Sequence, residues 1–159
     1  MGGRGLRQGG LFTAGDGGSN MEGMKILPYD DGAHREQVIA LWKAVFGYTA
    51  AHNDPGRSID RKLACDDLFW VAEEGGLVVG TVMAGYDGHR GWIYSLAVRP
   101  DLRRGGIGAG LMRAAEERLA GLGCDKVNLQ IVGGNQGAKE FYESCGFLEE
   151  DRISMGKRL

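Results

Sequence analysis

One stretch limits what this chain can fold into more than any other: S-L-A-V-R-P-D-L-R-R-G-G-I-G-A-G-L-M, from Ser95 to Met112. Leu96, Ala97 and Val98 finish an apolar run that suits a strand, and Pro100 closes it. Arg103 and Arg104 then place two cations just ahead of Gly105, Gly106 and Gly108. From Gly108 the pattern becomes helical, with Leu111, Met112, Ala115 and Leu119 at i, i+1, i+4 and i+8. A helix start leaves backbone N–H groups unpaired and carries partial positive charge. Glycine has no Cβ, so an anion can come close to those donors. Strand, basic glycine turn and helix together predict a phosphate or pyrophosphate seat.

Better-known glycine motifs do not fit. A dinucleotide fingerprint, G-x-G-x-x-G, would need glycine where Leu111 stands, and a P-loop would need Lys-Ser/Thr after Gly110. The pattern that remains is R-x-x-G-x-G, from Arg103 through Gly106 to Gly108. A second informative stretch is N-Q-G-A-K-E-F-Y-E-S-C-G-F, Asn135 to Phe147. Asn135 can cap a helix there, and Ala138, Phe141 and Tyr142 share one face at i, i+3 and i+4.

Between and around these stretches, short strands and helices alternate. The patterns predict a strand over Lys25–Leu27 and a helix from Asp30 or Asp31 through Phe46, with Val38, Leu41, Trp42 and Val45 on one face. A short helix capped by Ser58 follows, then a strand over Leu68–Glu73, a turn at Glu74-Gly75-Gly76 and a strand over Leu77–Tyr86. Strands are also expected over Trp92–Val98 and Lys126–Val132. Helices are expected from Gly108 to Gly121 or Gly123 and over Gln136–Cys145. Phe147 to Lys157 reads as one bent strand or two. The expected fold class is α/β: one mixed sheet with helices on its faces, in a single domain over residues 24–159. Residues 1–23, glycine-rich and without apolar periodicity, read as a disordered extension or an expression remnant.

Composition narrows the partners. A formal charge of −2 gives no electrostatic reason to expect nucleic acid. No apolar run approaches the roughly 20 residues of a membrane helix. Cys65, Cys124 and Cys145 lack C-x-x-C spacing and are odd in number, so neither a disulfide framework nor a metal site is expected. His34 and His52 have no metal-ligand spacing. A reducing cytoplasm is the simplest location.

R-x-x-G-x-G followed by N-x-x-A-x-x-F-Y-x-x-x-G-F, in that order and separated by one helix and one strand, resembles the two signatures of the GNAT N-acetyltransferases. The likeness covers Met24 to Leu159. Four shorter motifs are similar to a YpeA-like bacterial subgroup: N-D-P at Asn53, I-D-R-K at Ile59, G-Y-D-G-H-R-G at Gly85 and S-M-G-K-R-L at Ser154.

The resemblance implies a GNAT fold in which the strand Trp92–Val98 splays from its neighbour, and it implies acetyl-CoA as cosubstrate. Leu96, Ala97 and Val98 would hold pantetheine and thioester. Arg103, Arg104, Gly105, Gly106, Ile107, Gly108 and Ala109 would hold the pyrophosphate. Asn135, Ala138 and Tyr142 would line the far side, with Tyr142 giving a proton to the leaving thiolate. A backbone N–H near Val98 would serve the developing oxyanion.

The attacking amine has an ordinary pKa of about 10 and must lose a proton. Trp92 and Gln130 stand where family members carry glutamate bases. Glu73, Asp87, His89 and Asp54 are the remaining candidates, with a water chain as the default. Tyr48, His52, Asn53 and Asp54 could meet a small-molecule or peptide amine. A homodimer is compatible with the resemblance and fixed by no sequence feature. Two functions stay open: an active N-acetyltransferase, or an acyl-CoA-binding module with little or no catalysis.

Overall fold

The structure, a computed structural model, describes residues 23–47 and 53–159; all but the last residue of the expected extension over 1–23 lies outside them. A five-stranded sheet in the order β1-β2-β3-β4-β5 forms the centre. β1 (Met24–Pro28), β2 (Phe69–Glu74), β3 (Leu77–Tyr86) and β4 (Gly91–Val98) pair antiparallel. β5 (Val127–Leu129) runs parallel to β4. Gly75 and Gly76, at φ +57° and +78°, close the tight β2–β3 hairpin, whose turn requires the left-handed region.

α1 (Asp31–Phe46) and α2 (Pro55–Cys65) cover one face of the sheet, and α3 (Ile107–Gly121) covers the other. Alternation along the strands divides the core. Val71, Val78, Met83 and Ala97 pack with Val38, Leu41, Trp42 and Ile59 on the α1/α2 side. Ala72, Val79, Val82, Ala84 and Ile93 pack with Leu111, Met112, Ala115 and Leu119 on the α3 side. α4 (Gln136–Ser144) adds Phe141 and Tyr142 to the edge of that second cluster.

Local chemistry sets the helix ends. The Asp30 carboxylate accepts from the Ala33 N–H at 2.8 Å, capping α1, and Gly47 at φ +60° ends it. α2 begins earlier than expected. Asp54, not Ser58, is its N-cap, accepting from the Arg57 N–H at 2.9 Å, and Pro55 occupies the first turn, where no N–H is needed.

Two expectations for the C-terminal half are corrected. β5 is shorter than Lys126–Val132, because the chain parts from β4 after Leu129 and loses its ladder there. Phe147 to Lys157 forms no strand. It lies near β5 through side chains, with Lys126 and Asn128 donating to the Glu150 carboxylate at 2.9 and 3.0 Å and Gln130 donating to the Ser154 hydroxyl at 2.5 Å. Leu148, Ile153 and Met155 are left exposed there.

Candidate active site

The sheet opens where the sequence stretch described first begins. β4 and β5 are paired at Gly91–Val127, Trp92–Asn128 and Ile93–Leu129 and then part, while β4 continues to Val98. Tyr94 to Val98 therefore have a neighbour on the β3 side and none on the β5 side, leaving main-chain groups available to an extended guest.

A bulge shapes this fork. Thr81 pairs with Ala97 and Met83 with Tyr94, so Ser95 and Leu96 together oppose Val82. Ser95 has φ +51°, an uncommon conformation for a residue with a Cβ. A buried chain of hydrogen bonds holds it. The Trp42 indole N–H donates to the Thr81 hydroxyl at 2.8 Å, and that hydroxyl donates to the Ser95 carbonyl at 3.0 Å. Because of the extra residue, Leu96 and Val98 pack toward α3 and Ala97 toward α1.

Beyond β4, a single 3-10 turn at Pro100–Leu102 leads into the glycine turn. Arg103, Arg104, Gly105 and Gly106 are exposed. Arg104 (φ +69°) and Gly106 (φ +84°) both lie in the left-handed region. Gly106 is the N-cap of α3 and has no side chain to satisfy the first N–H groups. Gly108 allows close packing: a Cβ there would sit 3.0 Å from the Phe141 ring. Ile107 is buried and Ala109 half-buried. The donor set suits a diphosphate: open main-chain N–H groups at a helix start with two guanidinium groups beside them.

α4 lies against α3 through that Phe141–Gly108 contact. The Asn135 side-chain oxygen accepts from the Ala138 N–H at 3.1 Å, so Asn135 caps α4 while its amide NH2 can face a ligand. Tyr142 is half-buried, with its ring edge-on to Phe141 and Phe147. Loss of water around it pushes its phenol up to about 12, so it stays protonated at neutral pH. A shallow cavity of about 240 Å³ between α3 and α4 is lined by Ala109, Met112, Arg113, Glu116, Ser144 and Cys145. Burial raises both the Glu116 carboxyl and the Cys145 thiol.

The candidate bases are not gathered at the fork. Asp87 and His89 sit in the β3–β4 turn just before Gly91, which lies about 10 Å along β4 from Tyr94, where the fork opens. Asp87 accepts there from the backbone N–H groups of Arg90 and His89 and from the Trp92 indole, which hold its carboxyl below the usual range. Glu73 is two strands from β4 and lies 3.5 Å from buried His34 Nε2. Asp54 is occupied as a helix cap. Gln130 donates to Ser154. Tyr48 and His52 lie outside the described residues, and Asn53 is exposed ahead of α2.

Sequence patterns did not single out Ser95, Thr81 or Trp42 as site-forming. A serine carries no sign of a positive φ, and a threonine inside a β-branched strand looks like any other strand residue.

Residues 35–147 match the model of the Acetyltransferase (GNAT) family, and the chain belongs to that family. It is an acetyltransferase. Acetyltransferase SG1711 of Sodalis glossinidius is 42% identical over 138 residues, covering 86% of this chain and 94% of the relative. Among solved structures, the fold is similar to AAC(6')-Iy in complex with the bisubstrate analogue CoA-S-monomethyl-acetylneamine. That likeness has a TM-score of 0.70 at 18% identity, over 86% of this chain and 98% of that one. It is also similar to glucosamine-6-phosphate N-acetyltransferase from Arabidopsis thaliana, with a TM-score of 0.65 at 24% identity, over 85% and 97%. Among the described residues, no helix is long and apolar enough to cross a membrane, and no group of three or more His, Cys, Asp or Glu side chains could hold a metal.

Proposed function

We propose that the chain transfers an acetyl group from acetyl-CoA to a primary amine of a small molecule or of a peptide or protein. The observation that carries this reading is the fork: β4 runs on past its last β5 partner and leads directly into an uncapped, glycine-rich helix start. Leu96, Ala97 and Val98 would take the pantetheine arm along the open strand edge. Arg103 to Ala109 would take the pyrophosphate on main-chain N–H groups. Asn135, Ala138 and Tyr142 would close the side facing α4. When bound, acetyl-CoA supplies the activated acyl group as a thioester.

The protein's own part is placement and proton handling. The locked bulge fixes the direction of the main-chain groups on either side of Ser95. Tyr142, kept protonated by burial, is equipped to give a proton to a departing thiolate. Glu73 faces His34, Asp54 caps α2, and Asp87 is bound by the β3–β4 turn and the Trp92 indole, so the amine's proton would leave through water. Solved structures of similar fold include an aminoglycoside N-acetyltransferase in complex with CoA and a glucosamine-6-phosphate N-acetyltransferase, which favours a small-molecule amine over a protein. The YpeA-like assignment rests on the four short motifs.

Calorimetric titration with CoA, followed by acetyl-CoA turnover against a panel of amino sugars, alkylamines and peptide amino termini, tests the reading. Binding with transfer to at least one amine is expected. Binding with no transfer across the panel would mark an acyl-CoA-binding module, and no binding would overturn the assignment of the fork.

A further inference from the structure

Lys62 is a buried lysine that the reading above does not use, and it reaches the sheet face opposite α3. It belongs to the I-D-R-K motif and projects from α2, 5% exposed. Its ammonium donates to the Ala84 carbonyl and to the Tyr94 hydroxyl at 2.8 Å, and forms an ion pair with the Asp66 carboxylate at 2.5 Å. Two hydrogen bonds and an ion pair commit the ammonium to the protein rather than to a ligand. Lys62 Nζ also lies 5.2 Å from the centre of the Tyr94 ring.

Tyr94 is the first β4 residue past the last β4–β5 pair, at the root of the fork. Its ring leans over Gly85, 3.7 Å from where a Cβ would stand. It nevertheless remains 42% exposed, beside Trp92 at 38% two positions back on the same strand face. Its oxygen already accepts from Lys62. Its own O–H donates to the Ala84 carbonyl at a long 3.4 Å, an acceptor it shares with Lys62. A phenol that accepts from an ammonium is polarised into a better donor. The result is a part-buried phenol whose own donor bond is long, on a partly exposed aromatic shelf with Trp92, on the side of the sheet away from α3 and its glycine turn.

We propose that Tyr94 contacts the acceptor and that Lys62 is its positioning residue. The proposal rests on the acetyl-transfer reading. The acceptor class it specifies is an amine whose carrier has an apolar face, to lie on Trp92 and Tyr94, and an oxygen close to the amine, to accept from the Tyr94 hydroxyl.

The test uses two probe amines, L-phenylalaninamide and 2-phenylethylamine, which share ring and amine and differ in the carbonyl. The quantity read is the ratio of their kcat/KM values, compared between wild type and variants, so that the amines' different basicities cancel. Tyr94→Phe should reduce that ratio by roughly 3- to 10-fold, the value of one hydrogen bond, and leave CoA affinity unchanged. Lys62→Met should do the same although it touches no substrate, and Tyr94→Phe should add nothing further in the Lys62→Met background. Lys62→Arg, which keeps the cation, provides the conservative comparison if Lys62→Met fails to fold, and should retain more of the ratio than Tyr94→Phe does.

A ratio unchanged in Tyr94→Phe would overturn the contact. Additive effects, or a Lys62→Met variant that loses only thermal stability, would overturn the positioning role. Failure of the wild type to acetylate either probe while it binds CoA and acetylates other amines would overturn the acceptor class alone. Failure to bind CoA would instead overturn the parent reading.

Discussion

The Thr81 hydroxyl donates to the Ser95 carbonyl at 3.0 Å, across the two central strands and at the point where β4 carries its extra residue. Thr81 is fully buried and accepts at the same oxygen from Trp42. One side chain thereby ties α1, β3 and the bulge together. Replacing it with valine keeps the shape and leaves the Trp42 N–H and the Ser95 carbonyl without this partner. Thr81→Val should destabilise the fold by about 2–4 kcal/mol in urea denaturation. It should also weaken CoA binding by calorimetry, while Thr81→Ser retains both. Unchanged CoA affinity in a folded Thr81→Val protein would separate the bulge from the binding site.

Gly106 sits at φ +84° and heads α3 without a capping side chain. Gly106→Ala forces a Cβ into the left-handed region, at a penalty of about 1–2 kcal/mol. The local way to relieve it is to rotate the peptide, which turns the open N–H groups away. The expected outcome is a larger loss of CoA affinity than of thermal stability. Gly121→Ala, inside the last turn of the same helix with nothing within 4 Å of the added Cβ, is the control and should leave CoA binding intact.

Tyr142 has its phenol raised to about 12 by burial. Its neutral form is favoured in the folded state, so this contribution to stability is complete below the ordinary tyrosine pKa. It is lost as pH rises through the folded value. Alkaline unfolding should therefore begin between about pH 10 and 12, and Tyr142→Phe should shift that limb to higher pH. At neutral pH the same variant should lower kcat by ~100-fold with little change in CoA affinity, if the proton it gives is the one the thiolate needs.

Glu116 lines the α3/α4 cavity with its carboxyl raised, chiefly by desolvation, while Arg113 pulls the other way. A carboxyl raised in the folded state is most stabilising when protonated, and that contribution is lost as pH rises through its folded value. Glu116→Gln should accordingly raise Tm modestly at neutral pH. The gain should fade as the solution is acidified below the usual carboxylate range. A variant less stable at neutral pH would mean that the Arg113 attraction outweighs the burial.

The sheet and helices were legible from residue patterns because their causes are local: Asp30 and Asn135 beside apolar periodicity, Gly75-Gly76 between two strands, Gly106 ahead of Leu111 and Met112. The glycine turn could be placed for the same reason. The divergence of β4 from β5 was expected only through family likeness, since no residue type marks the end of a pairing. The Trp42–Thr81–Ser95 chain and the Lys62–Tyr94 contact join residues far apart in sequence, and such contacts leave no periodic trace. The tail after Phe147 misled because β-branched and apolar residues indicate willingness to pair, not the presence of a neighbour.

The bulge also makes the length of β4 matter to the single residue. Tyr94 and Ala97 share a face although they are three apart, where ordinary pleating would set them on opposite sides. Deleting Ser95, or inserting one residue beside it, would swap the small Ala97 for a larger neighbour beneath α1 and turn the downstream strand end over. Natural or engineered variants of this chain should tolerate substitutions along Tyr94–Val98 far more readily than a gain or loss of one position.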